Sequence, residues 1–190
     1  MTLLSSGLEI MPTTLPEVMI LVPRSFADER GSLAELFRAD RYAEAGIARP
    51  FVQDNLSRSA NGVVRGLHLQ NPKLQGKLVT AIRGRILDVC VDVRVGSPSF
   101  GQHVSIELSH ENRWQFWVPR GFAHGFSVLS EWADVLYKCD AYYDAASEIT
   151  INHADPALGI DWHVATPILS PKDHAATALA DTAGLPVYGS

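Results

Sequence analysis

Between residues 63 and 139 the chain alternates apolar and polar positions with a period of two. That is the spacing of half-buried strands. Leu87, Val89, Val91 and Val93 alternate with Asp88, Cys90, Asp92 and Arg94, and Val104, Ile106 and Leu108 repeat the pattern. Further apolar runs lie at 77–82, 114–118, 126–129 and 135–139. They are separated by the turn-forming groups Arg83-Gly84-Arg85, Gly96-Ser97-Pro98, Ser109-His110-Glu111-Asn112, Pro119-Arg120-Gly121 and Ser130-Glu131. Short strands at this spacing, with little room for helices between them, predict an all-β sandwich or barrel.

The flanks are less regular. Residues 1–15 read as a loose N-terminal extension. An apolar run at 18–22 stops at Pro23 and reads as a strand. Residues 26–31 form a polar turn, and 32–37 extend again. Helical propensity over 38–45 ends at Gly46, a suitable C-terminal cap, and Pro50 prevents continuation. Residues 51–55 look extended. The tail from 167 is irregular, with a short helix expected in its Ala-rich stretch at 173–181. No repeat or low-complexity linker divides the chain, so residues 1–190 are expected to form one domain.

Length permits a substantial core. Sixteen Lys and Arg stand against 21 Asp and Glu, a net charge of −5, and no basic run occurs. This argues against nucleic acid as a partner but allows a small anionic ligand held by a few local cations. Cys90 and Cys139 each sit in a strand-like run and match no metal spacing. They are expected to be reduced core residues of a cytoplasmic protein. No stretch has the length of a membrane span, and the first residues lack the basic start of a signal peptide.

The chemistry centres on Arg65-Gly66-Leu67-His68-Leu69-Gln70, a strand closed by Asn71-Pro72. Alternation sends Leu67 and Leu69 to a core and places His68 on the other face, flanked by Gly66 and Gln70. His124 follows the Pro119-Arg120-Gly121 turn. It is either a turn histidine bonded to backbone or a residue lifted to the mouth of a barrel. Tyr137 shares a face with Val135 and Cys139, as a core tyrosine or as a phenol held in a dry cavity to donate a proton. Tyr143, beside Tyr142, is suited to stack on a flat ring. Arg30, Arg65 and Lys77 stand near strand ends. Singly they are solvated charges, and together they would clamp a diphosphate. Asp173 could fix a histidine tautomer if the fold brings it close. His68 and His124 alone are too few for a zinc or iron site. Neither a metal nor a cofactor is therefore expected.

Ordered motifs from about residue 16 to 173 resemble the dTDP-4-dehydrorhamnose 3,5-epimerases. They are Asp28-Glu29-Arg30-Gly31 with Glu35, Phe51-Val52-Gln53-Asp54-Asn55, Arg65-Gly66-Leu67-His68, Gln75-Gly76-Lys77-Leu78, the run from Asp88 to Arg94, Gly96-Ser97-Pro98, Pro119-Arg120-Gly121-Phe122-Ala123-His124-Gly125-Phe126, Leu136-Tyr137-Lys138, Tyr142-Tyr143, and Leu169-Ser170 with Lys172-Asp173. The resemblance implies a cupin-type jelly roll with short flanking helices. It also implies an isomerase that epimerises dTDP-4-keto-6-deoxy-D-glucose at C3 and C5 to dTDP-4-keto-L-rhamnose. It assigns His68 as base, Asp173 as its acidic partner and Tyr137 as proton donor. Tyr143 would stack on thymine, and Gln53, Asn55, Arg65, Lys77, His124, Glu148 and Lys172 would contact substrate. Arg30 and Glu35 would reach the site of the other subunit in a homodimer. Lys77 is the candidate to face the enolate oxygen. Leu33 and Leu69 stand where the family usually has aromatics. An epimerase acting at C3 or C5 alone, a ketoisomerase on the same substrate and a non-catalytic nucleotide-sugar-binding cupin remain as alternatives.

Overall fold

The structure is a computed structural model that describes residues 1–189. Its fourteen strands are β1 (Thr2–Leu3), β2 (Glu9–Pro12), β3 (Met19–Val22), β4 (Ser25–Asp28), β5 (Gly31–Ala34), β6 (Gln53–Ala60), β7 (Val64–Gln70), β8 (Lys77–Arg83), β9 (Arg85–Asp92), β10 (His103–Ser109), β11 (Gln115–Val118), β12 (Phe122–Val128), β13 (Trp132–Cys139) and β14 (Glu148–Thr150). The helices are α1 (Ala39–Glu44) and α2 (Pro171–His174). A seven-stranded sheet in the order β1-β2-β3-β11-β8-β13-β6 packs on a five-stranded sheet in the order β10-β9-β12-β7-β14, and β4-β5 form a separate hairpin. The named strands pair antiparallel throughout. Among the described residues no helix is long and apolar enough to cross a membrane. This is the all-β sandwich that the alternation implied and the cupin type that the resemblance implied, with its two sheets open and not closed into a barrel.

Three apolar clusters hold it. The first lies between the sheets and includes Val79, Ile86, Cys90, Phe116, Phe122, Phe126 and Val135. The second covers the outer face of the five-stranded sheet, where Leu67, Leu69, Leu87, Val89 and Val91 meet Ile151, Leu158, Trp162 and Leu179. The irregular tail is thus a packed cover, and it explains why β7 and β9 are buried on both faces. Alternation in β9 therefore has an unexpected sense. The valines face the tail, and Asp88 shares the inner face with Ile86 and Cys90.

The third cluster corrects the expectation for residues 1–15. Strands β1 and β2 extend the seven-stranded sheet, and Leu8 packs with Leu21, Tyr42, Ile47 and Leu78. Pro12 and Gly7 give this segment the look of a loop, but its Leu and Ile side chains have a sheet face to cover. Helix α1 forms where propensity placed it, with Gly46 at φ +88° after its end. In the tail, helix is confined to α2 and one turn at Leu179–Asp181. Cys90 and Cys139 are buried free thiols.

Candidate active site

At one end of the sandwich, where β6 and β8 begin and β7 and β13 finish, the inner faces carry polar residues. A cavity of about 290 Å³ opens there, lined by Gln53, Asn55, His68, Leu69, Gln70, Gln75, Lys77, Tyr137, Tyr143 and Glu148. The ladder fixes this grouping. Cys139 pairs with Gln53 on one side and Lys77 on the other, Tyr137 pairs with Asn55, and Glu148 pairs with Gln70.

Close approach of β7 and β12 positions His68. A Cβ on Gly66 would lie 2.6 Å from Gly125 Cα and 2.7 Å from the His124 carbonyl oxygen, and Gly66 has φ +115°. Glycine is required there by backbone contact and by the left-handed torsion, not merely to leave the histidine face open. A register shift between His124 and Phe126 accompanies the contact and sets His124 directly opposite His68.

His68 Nε2 lies 2.5 Å from Asp173 Oδ1, joining residues 105 apart. Asp173 is buried in α2. Ser170 caps that helix, accepting from the Asp173 N–H at 3.2 Å and donating its hydroxyl to Asp173 Oδ2 at 2.7 Å. Burial is the largest influence on Asp173 and opposes its charge. The hydrogen bonds from His68 and Ser170 outweigh it and hold the carboxyl below its ordinary pKa. Burial pulls His68 below its ordinary value, and Asp173 opposes that shift only in part. The pair is therefore a neutral imidazole beside a carboxylate at neutral pH. With Nε2–H donated to Asp173, Nδ1 carries the free lone pair.

Tyr137 enters the same cavity from β13. Burial raises its pKa, so the phenol stays protonated. Lys77 is drawn below its ordinary value by burial, with the Cys139, Asp88 and Glu148 side chains opposing. A nearby negative oxygen would favour the charged form of Lys77.

Around the rim the expected contact residues form one network. Gln53 donates to Asn55 Oδ1 at 3.0 Å and accepts from the Tyr143 backbone N–H at 2.8 Å. The Tyr143 hydroxyl donates to Glu148 at 3.2 Å, and Lys172 Nζ donates to the other oxygen of Glu148 at 2.6 Å. Tyr143 is 54% exposed, open to a stacking partner. Arg65 donates to Ser59 at 3.0 Å and lies outside the cavity wall.

Arg30 and Glu35 are not brought to this cavity. Arg30 is ion-paired with Asp28 at the tip of the β4–β5 hairpin, and Glu35 pairs with Arg41. The three cations grouped as a diphosphate clamp are therefore separated within one chain. Sequence reasoning also missed three residues. Gln70 and Gln75 line the cavity and tie it to the 141–144 loop, and Ser170 holds Asp173. For Ser170 the signal was present, as Ser-Pro-x-Asp is a helix-capping pattern. Among the described residues no three of His, Cys, Asp or Glu group as metal ligands.

The family profile for dTDP-4-dehydrorhamnose 3,5-epimerase matches residues 12–181. The Pseudomonas aeruginosa enzyme of that name is 50% identical over 169 residues, 88% of this chain and 93% of its own. The Neisseria gonorrhoeae one is 48% identical over 88% of this chain, which spans 52% of that relative's length. A Streptomyces niveus dTDP-4-dehydrorhamnose 3-epimerase is 40% identical over 96% of this chain and 91% of its own. Among solved structures, the Legionella pneumophila dTDP-6-deoxy-D-glucose-3,5-epimerase in complex with dTDP-4-keto-L-rhamnose superposes with a TM-score of 0.94. It is 50% identical, with 96% of this chain and 100% of that one covered. The profile spans most of the chain, the Pseudomonas aeruginosa relative is half identical over nearly its whole length, and the overall fold superposes; the chain belongs to the dTDP-4-dehydrorhamnose 3,5-epimerase family of isomerases.

Proposed function

We propose that the protein inverts C3 and C5 of dTDP-4-keto-6-deoxy-D-glucose, giving dTDP-4-keto-L-rhamnose, with His68 as base and Tyr137 as acid. The observation that carries this is the entry of His68 and Tyr137 into one cavity from opposite sheets. Each C–H next to the C4 carbonyl is acidic. His68 Nδ1 removes the proton, and the C–H electrons pass through the C3–C4 or C5–C4 bond to the carbonyl oxygen. Lys77 faces the enolate oxygen. Tyr137 then delivers its phenolic proton to the opposite face, the enolate collapses to the ketone, and solvent restores both residues. The cycle runs once at each centre. Proton transfer from a placed side chain contributes roughly 10²–10⁴-fold.

In this reading Tyr143 stacks on the thymine. Gln53, Asn55, Arg65, His124, Glu148 and Lys172 hold the rest of the nucleotide sugar. Arg30 and Glu35 act across a homodimer: the β4–β5 hairpin stands apart from both sheets, with Phe26 and Leu33 53% and 72% exposed. The Streptomyces niveus 3-epimerase keeps a second reading in view, inversion at C3 alone. Incubation with dTDP-4-keto-6-deoxy-D-glucose in heavy water, followed by NMR of the product, separates the two. Two inverted, deuterated centres support the first reading, one supports the second, and a carbonyl moved to C3 contradicts both.

A further inference from the structure

We propose that Asp88 is a positioning residue for this reaction, holding His124 so that its Nδ1 is offered to the sugar as a hydrogen-bond acceptor. The inference rests on the epimerase reading above. Asp88 is fully buried on the inner face of β9, between Ile86 and Cys90. Its Oδ1 accepts from the Val89 N–H at 3.1 Å and is hydrogen-bonded to His124 Nε2. Its Oδ2 is buried with no hydrogen-bond partner among the described residues.

A carboxylate left half-satisfied in a core is costly. Apolar replacements of buried charges are often neutral or stabilising. Packing therefore gives no reason for Asp88. Its one side-chain partner does, because His124 stands directly opposite His68 across the β7–β12 ladder. Residues so paired project from the same face, about 5 Å apart. The β7–β12 ladder thus carries two neighbouring imidazole–carboxylate pairs, His68 with Asp173 and His124 with Asp88.

With Nε2–H donated to Asp88, a His124 ring that carries one proton leaves Nδ1 bare. It is the ring's one unengaged nitrogen and is not among the buried unpartnered atoms. A bare ring nitrogen accepts from a hydroxyl and repels a phosphate oxygen. His124 is therefore matched to a sugar hydroxyl beside the carbons that His68 deprotonates, and not to the diphosphate.

The test compares Asp88→Ala and Asp88→Asn in the full chain by ¹⁵N NMR of labelled histidines, steady-state kinetics and binding of dTDP alone. Asparagine keeps an oxygen at the Oδ1 position, and alanine does not. In the wild type His124 should show a protonated Nε2 and a bare Nδ1. Asp88→Ala should lose that tautomer preference, leave the His68 signals unchanged and lower kcat/KM roughly tenfold to hundredfold, the scale of one buried hydrogen bond to substrate lost. It should leave the Kd for dTDP unchanged. Asp88→Asn should restore the tautomer and most of the activity. A wild-type His124 protonated at Nδ1 overturns the proposal even if the alanine variant fails to fold. So does an Asp88→Ala protein with unaltered kcat/KM, or one with weakened dTDP binding. A wild type that never turns over the keto sugar yet shows the expected tautomer removes the epimerase reading instead.

Discussion

Tyr137 reaches the cavity from β13 of the seven-stranded sheet, and His68 reaches it from β7 of the five-stranded sheet. A sugar ring lying between the sheets presents one face to each. Inversion requires a proton to leave on one face and return on the other, so base and acid must come from different walls. The sandwich supplies that separation through its topology.

Asp173→Asn should lower kcat by 10²–10⁴-fold, since the imidazole loses the partner that fixes its tautomer. The pH profile should change as well. As the proposed base His68 must be neutral to act, and burial sets its pKa below the ordinary histidine value. The acidic limb of kcat/KM should therefore fall below pH ~6.5. Asp173 favours the imidazolium, so its replacement should move that limb to still lower pH. A limb that moves upward contradicts the pairing.

Lys77→Ala should reduce kcat by roughly 10²–10³-fold with a smaller change in KM, as expected for loss of one group facing a developing oxyanion. A purely ground-state role would raise KM and leave kcat alone.

The cross-subunit assignment of Arg30 has a complementation test. Light scattering should give twice the chain mass. Arg30→Ala and Tyr137→Phe should each be poorly active alone. In a mixed dimer one site combines an intact Tyr137 with the partner's intact Arg30, so mixing the two should recover activity. A monomer, or mixtures that stay inactive, would remove Arg30 from the site.

Stability should depend on Asp92, which lies at the end of β9 with no exposed side chain and is bonded to Arg94, Ser97 and Ser99. Burial is its largest influence and opposes ionisation. The hydrogen bonds prevail and bring its pKa to about 2 from 3.8. A depressed carboxyl stabilises the fold above its unfolded pKa, and that contribution disappears as pH falls through the folded value. Asp92→Asn should therefore cost about 2 kcal/mol in urea unfolding at pH 7. The gap from wild type should narrow between pH ~4 and ~2. A gap independent of pH would contradict this linkage.

The strands from residue 64 onward were legible because alternation is imposed locally by a half-buried surface. The sequence did not show which face of β9 looks inward. A tail from 151 to 187 covers its Val89 and Val91, so the polar member Asp88 is the interior one. Residues 1–15 look like a loose extension for a related reason: β2 is held by pairing to β3, a contact that neither segment encodes alone. His68, Tyr137 and Lys77 could be picked from their strand positions, and the resemblance gave each a role. The contact of Asp173 with His68 spans 105 residues and is a product of the tail's path. The reason for Gly66 also lies off its own strand, in the backbone of Gly125.

The division of labour between His68 and Tyr137 is tested most directly by hydrogen exchange from the keto sugar in heavy water. His68→Asn removes the base, and neither C3 nor C5 should take up deuterium. Tyr137→Phe leaves enolate formation in place, so deuterium should still enter on the original face while inversion falls by roughly 10²–10⁴-fold. Exchange that persists undiminished in His68→Asn, or vanishes equally in Tyr137→Phe, would contradict the assignment of base and acid to opposite walls of the cavity.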